Sequence, residues 1–242
     1  MSLIIEYLQS LDWYGMLLSI LYSLPAIVMG LTIHEYAHAK AAIKMGDTSQ
    51  RVIQRATLNP FSHLDPVGFI CMIIFNFGWA KPVITDPTYY KSYRKGRALV
   101  ALAGPLSNLI LAVIFFFIEA ALYIFSELTI AQGMFLDSYF FLTLIYILQL
   151  VIGNFVMINI LLFVINILPI PGFDGYELLK MAFFPKANGR VVTFLESYSR
   201  YFFIALVLIG LFDYVVLFTQ IIYTYGCYAQ EILADILLSL QM

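Results

Sequence analysis

The chain has 242 residues, 62% of them hydrophobic and 12% charged, with a formal charge of −2. Its apolar residues gather into long uncharged runs, which suits burial in lipid and excludes an ordinary soluble core. A near-neutral balance with no basic excess argues against nucleic acid as a partner.

The first run, Trp13 to Ile33, is 21 residues long, enough to cross a hydrocarbon core of about 30 Å. No basic region precedes it and no small-residue cleavage site follows, so a retained helix is expected rather than a removable signal. Gly68–Ala80, "GFICMIIFNFGWA", is apolar but only 13 residues long, and is read as a re-entrant element that enters and leaves on one side. Ala98–Ile118 and Tyr139–Ile165 are both long enough to span. Tyr201 to about Gly226 is read as a fourth span with Asp213 at its polar centre, and the last residues, "CYAQEILADILLSLQ", as a peripheral helix. The expected fold is an all-α polytopic membrane protein of about four transmembrane helices, a re-entrant segment at 68–80 and a C-terminal peripheral helix, forming one domain over 1–242.

Charge supports this layout. Nine Lys/Arg lie between Lys40 and Arg97, four lie between Lys180 and Arg200, and the rest of the chain has none. A lipid bilayer crossed as above puts all thirteen on one face, which the positive-inside rule makes cytoplasmic in a multi-pass protein of the cell membrane. The acidic connection at 119–137, with Glu119, Glu127 and Asp137, then lies outside. Cys71 and Cys227 fall near opposite faces, so no disulfide is expected between them.

The first run ends in "HEYAH". On a helix, positions i and i+4 share a face, so His34 and His38 can aim two imidazoles at one metal ion, and Glu35 can reach a water on that ion. A frayed helix end would explain one histidine. It does not explain two of the chain's three histidines at this spacing around a glutamate, where ionisable groups are costly. A catalytic zinc takes three protein ligands and keeps one position for water. Two residues are candidates for the third. Asp174 stands in "NILPIPGFDGYELL", where prolines and glycines break a helix end, although D-G-Y-E also reads as a capping box. His63, in "TLNPFSHLDPVG", also reads as a loop histidine between prolines. Spacing leaves the choice open.

These motifs resemble the site-2 proteases, intramembrane zinc metalloproteases. HEYAH at 34–38 is similar to the family's zinc-binding helix, and "NILPIPGFDG" at 166–175 to its second signature. "AGPLSN" at 103–108 lies between them in the family's order. "GDTSQRVIQRATLNPFSHLDPVGFI" and "GWAKPV" resemble the compact bacterial branch without PDZ or CBS domains. The resemblance covers about residues 25–185, the expected catalytic core. It implies one zinc ion held by His34, His38 and Asp174, with Glu35 as general base. It further implies substrate contacts from Asn108 and Asn166, His63 near the site, and a transmembrane protein as substrate, with the active site toward the cytoplasm. The competing expectation is a transporter or ion-conducting protein with a structural metal site, kept open by Asp213, Asn154 and Asn159 as intramembrane polar groups.

Overall fold

The structure, a computed structural model, describes residues 12–75, 79–133, 138–183, 194, 197–198 and 210–239. Among them the chain is helical, and β pairing is limited to an isolated antiparallel bridge between Leu64 and Ala80. Three helices are long and apolar enough to cross a membrane: α1 (Trp13–Met45), α4 (Tyr93–Ala131) and α5 (Tyr139–Ile167). Shorter helices α2 (Gln50–Ile53) and α3 (Pro66–Phe75) connect α1 to α4, and α6 (Asp174–Phe183) follows α5. The last is α7 (Leu211–Ser239).

Helix α1 starts where the Asp12 carboxylate accepts the Gly15 N–H at 2.9 Å and stops at Gly46, whose φ of 125° is open to glycine. It runs twelve residues beyond Ile33, because His34, Glu35, Ala39 and Ala42 are buried against neighbouring elements. The metal motif therefore sits in the body of a helix and not at a frayed end.

The expected outer connection at 119–137 is corrected by α4, which continues to Ala131 and carries Glu119 inside the bundle. Glu119 is buried and accepts a hydrogen bond from the Tyr223 hydroxyl of α7. An uncharged run ends at its first carboxylate, whereas a helix ends only where its packing does. Along α5, Asn154, Asn159 and Asn166 each donate an amide N–H to the carbonyl four residues back, at 2.8, 2.8 and 2.9 Å. That satisfies polar groups within the helix, as lipid demands.

The expected break near Gly226 does not occur. Helix α7 is continuous from Leu211 to Ser239, and its buried residues Val215, Thr219, Gln230 and Ala234 keep one face on the bundle throughout. Asp213 lies exposed in its first turn, not at the centre of a span. The beginning of the expected fourth span, 201–209, lies outside the described residues.

The segment at 68–80 returns to where it left. Its flanks Leu64 and Ala80 form the bridge, and the Lys81 N–H donates to the His63 carbonyl at 2.7 Å. Leu64, Phe69 and Ala80 pack on a core of Ile27, Leu31 and Leu162, which seats the hairpin between α1 and α5 beside the histidine pair.

Candidate metal centre

His34 Nε2, His38 Nε2 and Asp174 Oδ2 form a nearly equilateral triangle with edges of 3.1, 3.2 and 3.2 Å. Among the described residues these three side chains are the one His/Cys/Asp/Glu group placed to hold a metal ion. The expected histidine pair thus meets Asp174, and His63 lies elsewhere. His63 is fully buried, with Nε2 at 2.7 Å from the Thr57 carbonyl. There it ties together the loop that precedes the hairpin.

Each imidazole is oriented from behind. His38 Nδ1 lies 2.7 Å from the Val100 carbonyl, which can only accept, so Nδ1 carries the proton. For His34 the same conclusion follows through a chain of amides. Asn159 donates to its own helix carbonyl at Phe155, and its Oδ1 accepts from Asn108 Nδ2 at 2.9 Å. Asn108 Nδ2 also reaches the Gly30 carbonyl at 3.1 Å, so the Asn108 Oδ1 accepts from His34 Nδ1 at 2.6 Å. Both Nε2 lone pairs are then left facing Asp174.

Asp174 arrives from the broken stretch after α5. Leu168 ends that helix in extended backbone, Pro169 and Pro171 prevent its continuation, and Gly172 turns the chain with φ 105°. The carboxylate stands at the first residue of α6 and faces the imidazoles. Glu177, the expected capping-box partner, pairs instead with Arg97 of α4 and with Lys180.

This arrangement fits zinc. Two lone pairs and a buried carboxylate oxygen with no hydrogen-bond partner converge on one point, which without a shared cation leaves electron-rich atoms facing one another. Tetrahedral zinc with ligands near 2.0 Å sets ligand atoms about 3.3 Å apart, close to the observed edges. Gly104 of α4 completes the cradle, since a Cβ there meets His38 Nε2 at 2.3 Å and His34 Nε2 at 2.6 Å. The "AGP" step is therefore a requirement of the site as well as a small-residue helix contact.

Glu35 is also buried, and its Oε2 accepts the Val83 N–H at 2.9 Å. His34, Glu35, His38 and Asp174 open onto a cavity of about 990 Å³ whose wall also includes Trp79, Val83, Asn166 and Phe173. Asn166, expected to touch substrate, is on this wall. Asn108 is not: it is fully buried behind His34, and its hydrogen bonds are committed to Gly30, Asn159 and that imidazole. The sequence does not assign Val100, Gly104 or Asn159 to the metal centre. A backbone carbonyl has no sequence signature, and small or amide residues are common in packed membrane helices.

The placement of Asn108 makes a prediction. Asn108→Ala leaves the His34 Nδ1–H without its acceptor and is expected to weaken zinc binding by about 10- to 100-fold, read by competition with a calibrated chelator. Unchanged affinity would show that His34 is oriented by packing alone.

A family model described as Peptidase family M50 matches residues 22–210. "Putative zinc metalloprotease YwhC" of Bacillus subtilis is 35% identical over 195 residues, covering 80% of this chain and 83% of its own. Proteins named "Putative zinc metalloprotease Rip2" are similar at lower identity. The Mycolicibacterium smegmatis protein is 30% identical over 63% of this chain and 54% of its own, and that of Mycobacterium tuberculosis strain H37Rv 26% identical over 84% and 71%. No solved structure matches. With a membrane bundle, a His-His-Asp centre and a family match over most of its length, the chain belongs to peptidase family M50, the site-2 proteases, and is a membrane-embedded zinc metallopeptidase.

Proposed function

We propose that His34, His38 and Asp174 hold the zinc ion and that Glu35 is the general base of peptide hydrolysis, within one domain whose catalytic core is about residues 25–185. The observation that carries this reading is the convergence of two pre-oriented Nε2 lone pairs and the unpartnered Asp174 oxygen beside a buried glutamate. When bound, zinc supplies Lewis acidity, polarising a scissile carbonyl and making water a nucleophile near neutral pH. Glu35 takes the proton of the attacking water and returns it to the leaving amine. Asn108 and the Val100 carbonyl keep the imidazoles in the metal-binding tautomer. Asn166, on the cavity wall, contacts the substrate backbone.

The substrate is a transmembrane protein, in keeping with a family that acts on membrane proteins. A helix hides its carbonyls in i→i−4 hydrogen bonds, so hydrolysis requires local unwinding. Residues 171–173 of the broken stretch and the segment after Ala80 border the cavity and offer polar backbone to an unwound segment. The active site faces the cytoplasm, because the described basic residues lie at the metal end of the helices. Exposed Trp13, Tyr14, Tyr139 and Phe140 stand at the opposite ends of α1 and α5, as an interfacial aromatic belt does. The polar groups that kept transport open are accounted for: Asn154 and Asn159 bond within α5, and Asp213 lies in an exposed first turn.

Metal analysis of variants in a membrane mimetic, together with cleavage of a single-span substrate, tests this reading. Asp174→Ala is expected to lose zinc and activity together, whereas His63→Ala retains most of its zinc. The reverse pattern would transfer the third ligand to His63.

A further inference from the structure

The segment Ala80–Asp86, free of regular secondary structure, contributes Ala80, Pro82, Val83 and Thr85 to the cavity wall beside Glu35, and it is held in a frame that the metal centre does not require. Arg55 Nη2 donates to the carbonyls of Lys81 and Pro82 at 2.7 and 3.0 Å. At the far end the Asp86 N–H donates to Asp47 Oδ2 at 2.7 Å. Asp47 is fully buried, and its other oxygen accepts the Ser49 N–H at 3.1 Å. Between these two anchors the Val83 N–H points toward α1 and donates to Glu35 Oε2.

Asp47 follows directly on the C-terminal turn of α1, the helix that carries Glu35. Helix α1 and the turn that follows it therefore hold the segment at two points, and Arg55 closes the frame through two carbonyls. Pro82 fits this geometry, since it has no N–H to satisfy and favours extended backbone at the residue before it. Among the described residues the Val83 N–H is the one hydrogen-bond donor to Glu35. A carboxylate hydrogen-bonded at one oxygen keeps a single rotamer, and a proton-transferring group must be held in position to act.

We propose that Arg55 and Asp47 are positioning residues for hydrolysis: by fixing residues 81–86 they hold the Val83 N–H on Glu35 and thereby set the direction from which that carboxylate meets the attacking water. This rests on Glu35 being the base. The frame touches neither the histidines nor Asp174, so disturbing it affects turnover and leaves the metal in place.

The test uses full-length protein in a membrane mimetic, with zinc content, steady-state cleavage of a single-span substrate and hydrogen exchange at the Val83 amide. Arg55→Ala is expected to keep its zinc, to exchange faster at Val83, and to lose about tenfold in kcat with KM nearly unchanged, the size of one lost hydrogen bond in the transition state. Arg55→Lys is expected to recover most of kcat, because an ammonium can also donate to two carbonyls, and Asp47→Asn to keep an acceptor for the Asp86 N–H. Val83→Pro removes the donated N–H, and is expected to match the kcat loss of Arg55→Ala. Should Arg55→Ala fail to fold or lose zinc, Val83→Pro decides alone. Full kcat in Val83→Pro, or a loss confined to KM, overturns the proposal. Activity surviving in Glu35→Gln would instead overturn the assignment of the base, which separates the two failures.

Discussion

Glu35→Gln is expected to abolish peptide hydrolysis in a protein that still holds its zinc. The glutamate sits one residue from His34 but outside the triangle of His34, His38 and Asp174, so the role proposed for it is proton transfer and not ligation. Glutamine is nearly isosteric and still accepts the Val83 N–H, which keeps the backbone frame intact while removing the basic oxygen. General base catalysis contributes about 10²- to 10⁴-fold, and a loss of at least that size in kcat is expected with zinc stoichiometry unchanged. Cleavage of a single-span substrate beside metal analysis of the same preparation measures both quantities. Loss of zinc in Glu35→Gln would move the glutamate into the metal shell, and retained turnover would remove it from the mechanism.

The other large effect is expected where no ionisable group is altered. Gly104→Ala places a methyl at 2.3 Å from His38 Nε2 and 2.6 Å from His34 Nε2, far inside van der Waals contact. Both rings are held from behind, by Val100 and Asn108, so neither can retreat without giving up its orienting hydrogen bond. Zinc affinity is expected to fall at least about 100-fold, beyond the range for disturbing an outer partner. Ser107→Ala is the control. It lies one turn away on α4 and gives up only a hydrogen bond to the Gly104 carbonyl at 2.6 Å. Chelator competition on the two variants distinguishes a blocked metal site from a general loosening of α4, which would weaken both alike.

Much of this molecule is legible in one dimension because lipid is a demanding solvent. Every backbone group in a span must be satisfied within its own helix, so long apolar runs announce α1, α4 and α5 without reference to any partner. His34 and His38 are legible for a related reason: two residues four apart on a helix are neighbours wherever that helix goes. The re-entrant hairpin followed from length alone, since 13 apolar residues cannot cross.

What the tertiary structure decided are the matters that depend on contact between distant segments. Helix ends are of this kind: α4 runs past Glu119 because Tyr223 of α7 receives its carboxylate, and α7 runs past Gly226 because one face stays packed. So is the meeting of the candidate ligands. Asp174 and His63 are equivalent by spacing, and the proline-broken approach to α6 brings the Asp174 carboxylate to the imidazoles while His63 closes a loop on Thr57, which is why Asp174 is the residue proposed as third ligand. The role of Asn108 belongs here too, because an amide in a membrane helix can face substrate or another helix. Its three hydrogen bonds to Gly30, Asn159 and His34 choose the second. Ligand spacing on one helix is local geometry carried by the sequence itself, whereas the orientation of those ligands comes from partners that only folding brings within hydrogen-bonding distance.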